Sequence, residues 1–406
     1  MNFPSLHQLL LTGALATSVF MLTSCQPKSS TPTQQNVHSQ DGSFAATISN
    51  SGKFALVSSL YHGVSAWDIE KNGVLYNWYQ TPKEQAFSLF NDGDPNSSAD
   101  NNFVFATAIA NDDSHALLAD KHRFSLWQME TGENVGYWSI KPSKVVYRTK
   151  SVGGRSIQTE LYDVIEQHNC TSPDTTKNEV CEFTADIRAI DVSNQGKHIL
   201  LGKSDGTVVH LKMSNGRRIE FLGHQQTLID GNSGETYHLN NAINSVAISP
   251  NGLYALSGSS DQSAYLWDTK TGQVIYKFQH SARVVLVHLD PQARYAFTAD
   301  SKKSAFIWDL KTGKKLAQLD ITGRQQIFTT AQFSNNGRWL VTGSPNQKVN
   351  LWSTSSGKSV QQWRVTPRKN VRPASAVVYS ARFINQDSQI ITESSAGLSE
   401  VWDITQ

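Results

Sequence analysis

Short runs in which apolar and polar residues alternate recur along this chain, separated by Gly, Pro, Asn and Asp. Ile243 to Gly252, Tyr254 to Ser259 and Ser263 to Asp268 make one set. Val284 to Leu289, Tyr295 to Thr298 and Ala305 to Asp309 make the next. Alternation of this kind, punctuated by turn formers, predicts strands joined by tight turns. Thr131-Gly132, Thr271-Gly272 and Thr312-Gly313 suit turns that need a positive φ. No long segment carries a helical period, so the chain reads as all-β.

The third run of each set ends in a common signature. Trp67-Asp68, Trp127-Gln128, Trp267-Asp268, Trp308-Asp309, Trp352-Ser353 and Trp402-Asp403 occupy equivalent places. Trp308 follows Trp267 by 41 residues, Trp352 follows by a further 44, and Trp402 by a further 50. The long interval between Trp127 and Trp267 holds a degenerate copy, Ser204 to Leu211, with Leu211 in the indole's place. A period of roughly 40–45 residues closing on Trp-Asp marks four-stranded propeller blades. On these residues the chain resembles the WD-repeat β-propellers, over about residues 36–406, with seven blades.

That resemblance implies a polar tetrad in the best copy: His224 before the blade, Ser257 in its second strand, Asp261 in the following turn and Trp267 in the third. A buried histidine, hydroxyl, carboxylate and indole must satisfy one another or cost stability. The expectation is therefore a structural role, not a hydrolytic triad. Counting six residues back from the other tryptophans gives no second Asp; Asp205 before Leu211 is the other match. The last Trp-Asp stands so near Gln406 that the final unit has room for three strands. Residues near 34–40 are expected to supply the fourth, as in the overlapping closure of the family, because a closed ring leaves no long unpaired edge.

Residues 1–24 resemble a bacterial lipoprotein signal. They hold Leu9-Leu10-Leu11, an apolar run from Leu15 to Leu22, and Leu22-Thr23-Ser24-Cys25 in the manner of a lipobox, with positive charge limited to the terminal amine and His7. The resemblance implies diacylglycerol on Cys25. Gln26, not aspartate, follows it, which implies transfer to the outer membrane facing the periplasm. Residues 25–35 read as a polar Pro/Ser-rich tether. Cys170 and Cys181 then remain as a pair in an oxidising compartment, and a disulfide is expected between them. Insertions are expected near 81–101 and 140–181.

The formal charge of +2 argues against general nucleic-acid binding, which needs a large positive field. Asp92 to Asp100 places oxygen-bearing side chains at alternate positions like half a calcium loop, but Ser97 stands where the turn glycine belongs and Phe103 where the bidentate glutamate belongs; a surface insertion is the expected reading, and no metal or cofactor is assigned. No His-Glu-x-x-His, phosphate loop or Gly-x-Ser-x-Gly elbow is present. Aligning units on their tryptophans puts His62, Lys121, His122, Arg123, Asp186, Lys203, Arg283, Lys302, Lys303, Asn346, Gln347 and Lys348 on the loops of one propeller face. Basic groups dominate there and could steer an acidic protein segment or an anionic glycan. Arg283, Lys302 and Lys303 are the leading contact candidates, with Lys121, Arg123 and Lys348 beside them. The function expected is a non-catalytic, lipid-anchored scaffold for an envelope protein or peptide. The alternatives are a hydrolase or lyase at the central channel, or an accessory factor in outer-membrane protein assembly.

Overall fold

The computed structural model describes residues 31–59, 63–79, 103–140, 143–152, 155–161, 179–183, 185–229, 236–239, 241–322, 327–369 and 374–405. Seven antiparallel four-stranded sheets dominate it. In chain order, the first six run from Ala45 to Trp78, Ala106 to Ser139, Ile187 to Phe221, Ile243 to Gln279, Val284 to Gln318 and Thr330 to Arg364. Each is a simple meander. The first strands of neighbouring sheets touch one another all the way round, including Ala45–Ile48 against Val378–Ile384, so they form the innermost ring. Among the described residues the only helix is a single 3₁₀ turn, Asn194–Gly196.

The seventh sheet mixes the two ends of the described chain. Val378–Ile384, Gln389–Ser394 and Leu398–Asp403 supply three strands, and Gln34–Val37 lies antiparallel to the third. Gln34 faces Val401 and Val37 faces Leu398. The Thr33 N–H already donates to the Val401 carbonyl at 2.8 Å. Thr33 thus adjoins this sheet, and Gln34 and Gln35, read above both as the end of the tether and as part of the closing strand, lie within it.

Seven apolar clusters sit between the seven pairs of adjacent blades, among the described residues. The third-strand indole of each blade faces the preceding one. Trp127 packs with Leu56 and Val64 of blade one, Trp267 with Leu200 and Val208 of blade three, and Trp352 with Phe297 and Ile307 of blade five. Leu211 takes the same place against blade two, which explains how the degenerate copy keeps its seat. An outer-strand aromatic of the preceding blade often covers the indole face. Trp78 stacks on Trp127 at 5.1 Å, Phe221 on Trp267 at 4.9 Å and Phe278 on Trp308 at 4.5 Å. His38, just beyond the closing strand, stacks on Trp67 at 4.5 Å and so repeats the pattern at the seam. Burial of this apolar and aromatic surface is the main term holding the ring together.

The expected insertion after blade two contains a three-stranded sheet of Ser143–Val152, Arg155–Leu161 and Glu179–Phe183. A second insertion, not read from the sequence, forms the hairpin Gln226–Ile229 with Thr236–Leu239 between His224 and blade four. The signal, Cys25, His62, the Asp92–Asp100 stretch and Cys170 lie outside the described residues. Cys181 falls opposite Val145 in its sheet, but its pairing with Cys170 lies outside them too.

Candidate functional site

Two surfaces can do chemistry or bind: the face carrying the turns between second and third strands, and the central channel. On the first, backbone bonds stitch each turn to the neighbouring interblade linker. Ile187 N–H donates to the Lys121 carbonyl, Ser301 N–H to the Arg283 carbonyl and Val365 N–H to the Gln347 carbonyl, at 2.7, 3.0 and 2.9 Å. Lys121, Arg283 and Lys302 are exposed there, and Lys303 and Lys348 half-exposed. Lys303 holds a φ of +90°, so its turn is tight and its direction fixed.

Three of the basic candidates differ from expectation or are constrained. The Arg123 Nε donates to the Asp120 carboxylate at 2.7 Å, and the same carboxylate receives the N–H groups of His122 and Arg123. That side chain is fixed in turn structure and is a weaker contact candidate than its exposed neighbours. Lys203 is buried and bonds the buried Asp205 at 2.8 Å, while Asp205 also accepts the Thr207 N–H. A pair so enclosed survives because each charge compensates the other, and Lys203 does not reach the contact face. His122 faces Asp186 at 3.2 Å, which partly neutralises its surroundings.

The tetrad of blade four is three-quarters formed. His224 Nδ1 lies 2.9 Å from Asp261 Oδ2 and its Nε2 lies 2.8 Å from Ser257 Oγ. Trp267, however, bonds no acceptor through its indole N–H among the described residues, and the Phe221 ring stacks on its face. Blade five holds the fuller version, which the count of six residues missed. Thr298 Oγ1 accepts from Trp308 Nε1 at 2.8 Å and meets His280 Nε2 at 2.7 Å, while His280 Nδ1 lies 3.5 Å from Asp300. Thr342 and Thr392 receive the indoles of Trp352 and Trp402 in the same way. A hydroxyl ten residues before the tryptophan is the sequence signal, and it is legible at Ser257, Thr298, Thr342 and Thr392. None of these histidine–hydroxyl–carboxylate sets opens to solvent as a nucleophilic site would; His224, Ser257, His280 and Thr298 are all buried.

The channel has a different character. Each innermost strand carries one equivalent residue just before the apolar residue that leads into its first turn. Round the ring these are Thr47, Ala108, Asp191, Ala247, His288, Gln332 and Arg382. The strand direction puts them toward the mouth opposite the lysine-bearing turns. They line two contiguous cavities of about 70 and 170 Å³ that share Asp191, His288 and Arg382. Burial pushes the Asp191 carboxyl up to about 6, against the pull of the Ile248 and Val192 N–H groups that it accepts. Burial and the nearby Arg382 charge push the His288 imidazole down to about 3, so it is neutral at pH 7. Burial also lowers Arg382 from its ordinary value, partly offset by Asp191 and Asp113.

Among the described residues, no group of three His, Cys, Asp or Glu side chains is placed to hold a metal ion. No described helix is long and apolar enough to cross a membrane.

A family model described as WD domain, G-beta repeat matches residues 233–268 and 314–353. No curated protein matches the chain in sequence. The second match starts on the outer strand of blade five and ends on the third strand of blade six. Sequence repeat and structural blade are thus offset by one strand, the offset that Gln34–Val37 completes at the seam. With seven such sheets in a ring and these repeats matched, the chain is a seven-bladed β-propeller of the WD-repeat kind.

Proposed function

We propose that this propeller is a non-catalytic scaffold, held by a lipid on Cys25 at the periplasmic face of a bacterial outer membrane, that engages an acidic segment of an envelope protein. A WD-repeat propeller supports a protein-interaction role in general. The observation carrying the finer reading is the set of exposed basic side chains, Lys121, Arg283 and Lys302 with Lys303 and Lys348, on the rigid turns of one face. Loops fixed on a stiff scaffold are common places for contact, and a basic rim raises the encounter rate with an acidic partner. The anchor rests on the Leu22-Thr23-Ser24-Cys25 sequence and Gln26.

Crosslinking in intact cells tests the contact face. The wild-type chain should capture a reproducible envelope protein, and a variant carrying Arg283→Glu, Lys302→Glu and Lys303→Glu should lose it while folding normally. Equal capture by both proteins refutes the assigned face. Labelling with radioactive palmitate should mark the wild type and not Cys25→Ser; labelling of neither would remove the anchor.

A further inference from the structure

Buried polar atoms without a partner are scattered through the described interior, among them the Trp267 and Trp363 indole N–H groups and the Ser344 hydroxyl. The polar arc of the central channel differs in that two of them, on Gln332 and His288, line one cavity together with Asp191 and Arg382. The Arg382 Nε donates to the Ile48 carbonyl of blade one at 3.1 Å, which fixes the guanidinium plane across the channel wall. Its two amino groups have no hydrogen-bond partner among the described residues, and Asp191 and Asp113 reach it only as distant charges. Gln332 spends its amide nitrogen on Asn50 at 2.7 Å, leaving its carbonyl oxygen buried and without a partner among the described residues. The Nε2 of His288 is likewise buried and unpartnered. Both Asp191 oxygens accept a backbone N–H, at 2.8 and 2.9 Å, and each keeps a second lone pair.

Unanswered buried groups normally cost stability, and where they converge on one cavity a ligand or ordered water can complete them. The set has a definite sign pattern. A forked cation on blade seven faces a carboxylate on blade three, and an amide oxygen and a neutral imidazole stand on blades six and five between them. A lone carboxylate or phosphate would meet Asp191; a lone ammonium would meet Arg382. A molecule with both charges one or two bonds apart answers both. The two contiguous cavities, about 70 and 170 Å³, hold a handful of non-hydrogen atoms, since a water takes about 30 Å³ of liquid.

We infer that the central channel is a binding site for a small zwitterion of the α-amino acid class. Its carboxylate is received by the Arg382 amino groups in a two-pronged bond. Its ammonium is received by Asp191 and the Gln332 carbonyl oxygen. The His288 Nε2 answers the remaining carboxylate oxygen or a side-chain hydroxyl. The site opens on the mouth opposite the lysine-bearing turns and stands independently of the scaffold reading; failure of either leaves the other intact.

Calorimetric titration of the purified full-length chain in detergent tests this, with L-alanine, L-serine, acetate and methylammonium as probes. Saturable binding of an amino acid is expected, with acetate and methylammonium each at least about tenfold weaker. Arg382→Lys keeps the charge but loses the fork, and should weaken the amino acid at least about tenfold. Asp191→Asn should do the same. Gln332→Ala removes only the amide, is the variant most certain to fold, and should weaken binding about threefold. Melting temperatures recorded on the same samples separate lost binding from lost structure. The inference is overturned if no probe gives saturable heat up to about 10 mM. It is overturned equally if acetate binds as well as L-alanine, or if the folded Gln332→Ala and Asp191→Asn variants bind as the wild type does; the channel would then be filled by water alone.

Discussion

Glu400 is the strongest test of how the seam is held. It lies in the third strand of blade seven with its side chain fully buried. Its carboxylate accepts three bonds: from Gln35 Nε2 on the closing strand at 2.8 Å, from Thr366 Oγ1 at 2.6 Å and from Thr366 N at 3.0 Å. One buried charge therefore ties the N-terminal strand to the segment after blade six. Bonds to a charged acceptor contribute about 1.5–3 kcal/mol each, so the gross loss in Glu400→Ala is roughly 5–9 kcal/mol. Removing the charge also relieves its burial cost of several kcal/mol. The net expectation is a loss of about 3 kcal/mol. A propeller of this size unfolds with an entropy near 0.7 kcal/mol/K, from about 2 cal/mol/K per residue, so the melting temperature should fall by about 4 °C. Gln35→Ala removes a single donor and should cost about 1 kcal/mol. In urea titrations the double variant should be less damaged than the two losses added together, because both act on one bond. Full additivity, or a Glu400→Ala loss below about 0.5 kcal/mol, would refute the claim that this carboxylate fastens the ring.

Further outcomes follow from the same contacts. Deleting residues 30–42 should depress the melting temperature far more than Glu400→Ala does, because it opens an edge and uncovers Trp67; calorimetry on both proteins decides it. Thr298→Val strands both Trp308 and His280 and should cost about 2–3 kcal/mol, against about 1 kcal/mol for Ser257→Ala, which strands His224 alone; equal losses in denaturant titration would contradict the bonding described. His210 is pushed down to about 4 and His288 to about 3, chiefly by burial, so each binds its proton more readily unfolded and drains stability as pH falls from 6.5 toward those values. Asp191, raised to about 6, works the other way, gaining stability as pH falls through 6 toward its ordinary 3.8. Between about pH 7 and 5, thermal melts should therefore show a shallower decline for His210→Gln and a steeper one for Asp191→Asn.

Local pattern was enough to establish the repeating strands of the blades, the count of seven blades and the place of Leu211 in the degenerate copy, but not the strands of the two insertions. The reason is that a propeller blade is made of near neighbours: each four-stranded meander pairs residues within some forty positions, and a period of two with turn residues specifies that pairing. The same locality made the hydroxyls of Ser257, Thr298, Thr342 and Thr392 findable at a fixed distance before their tryptophans, although a count aimed at aspartates passed over Thr298 and Asp300. What only the ring decided is the set of contacts between blades. Phe221 of one blade lies flat against Trp267 of the next, a pairing of residues forty-six positions apart that no local pattern specifies. Lys203, one of a row of basic turn residues by alignment, folds inward because Asp205 two residues on offers a buried counter-charge. The polar arc of Asp191, His288, Gln332 and Arg382 is spread over almost two hundred residues and shares no residue type. Those four side chains meet because closing a sheet ring sends one equivalent position from every blade to the axis, and nothing short of that closure brings them within reach of one molecule.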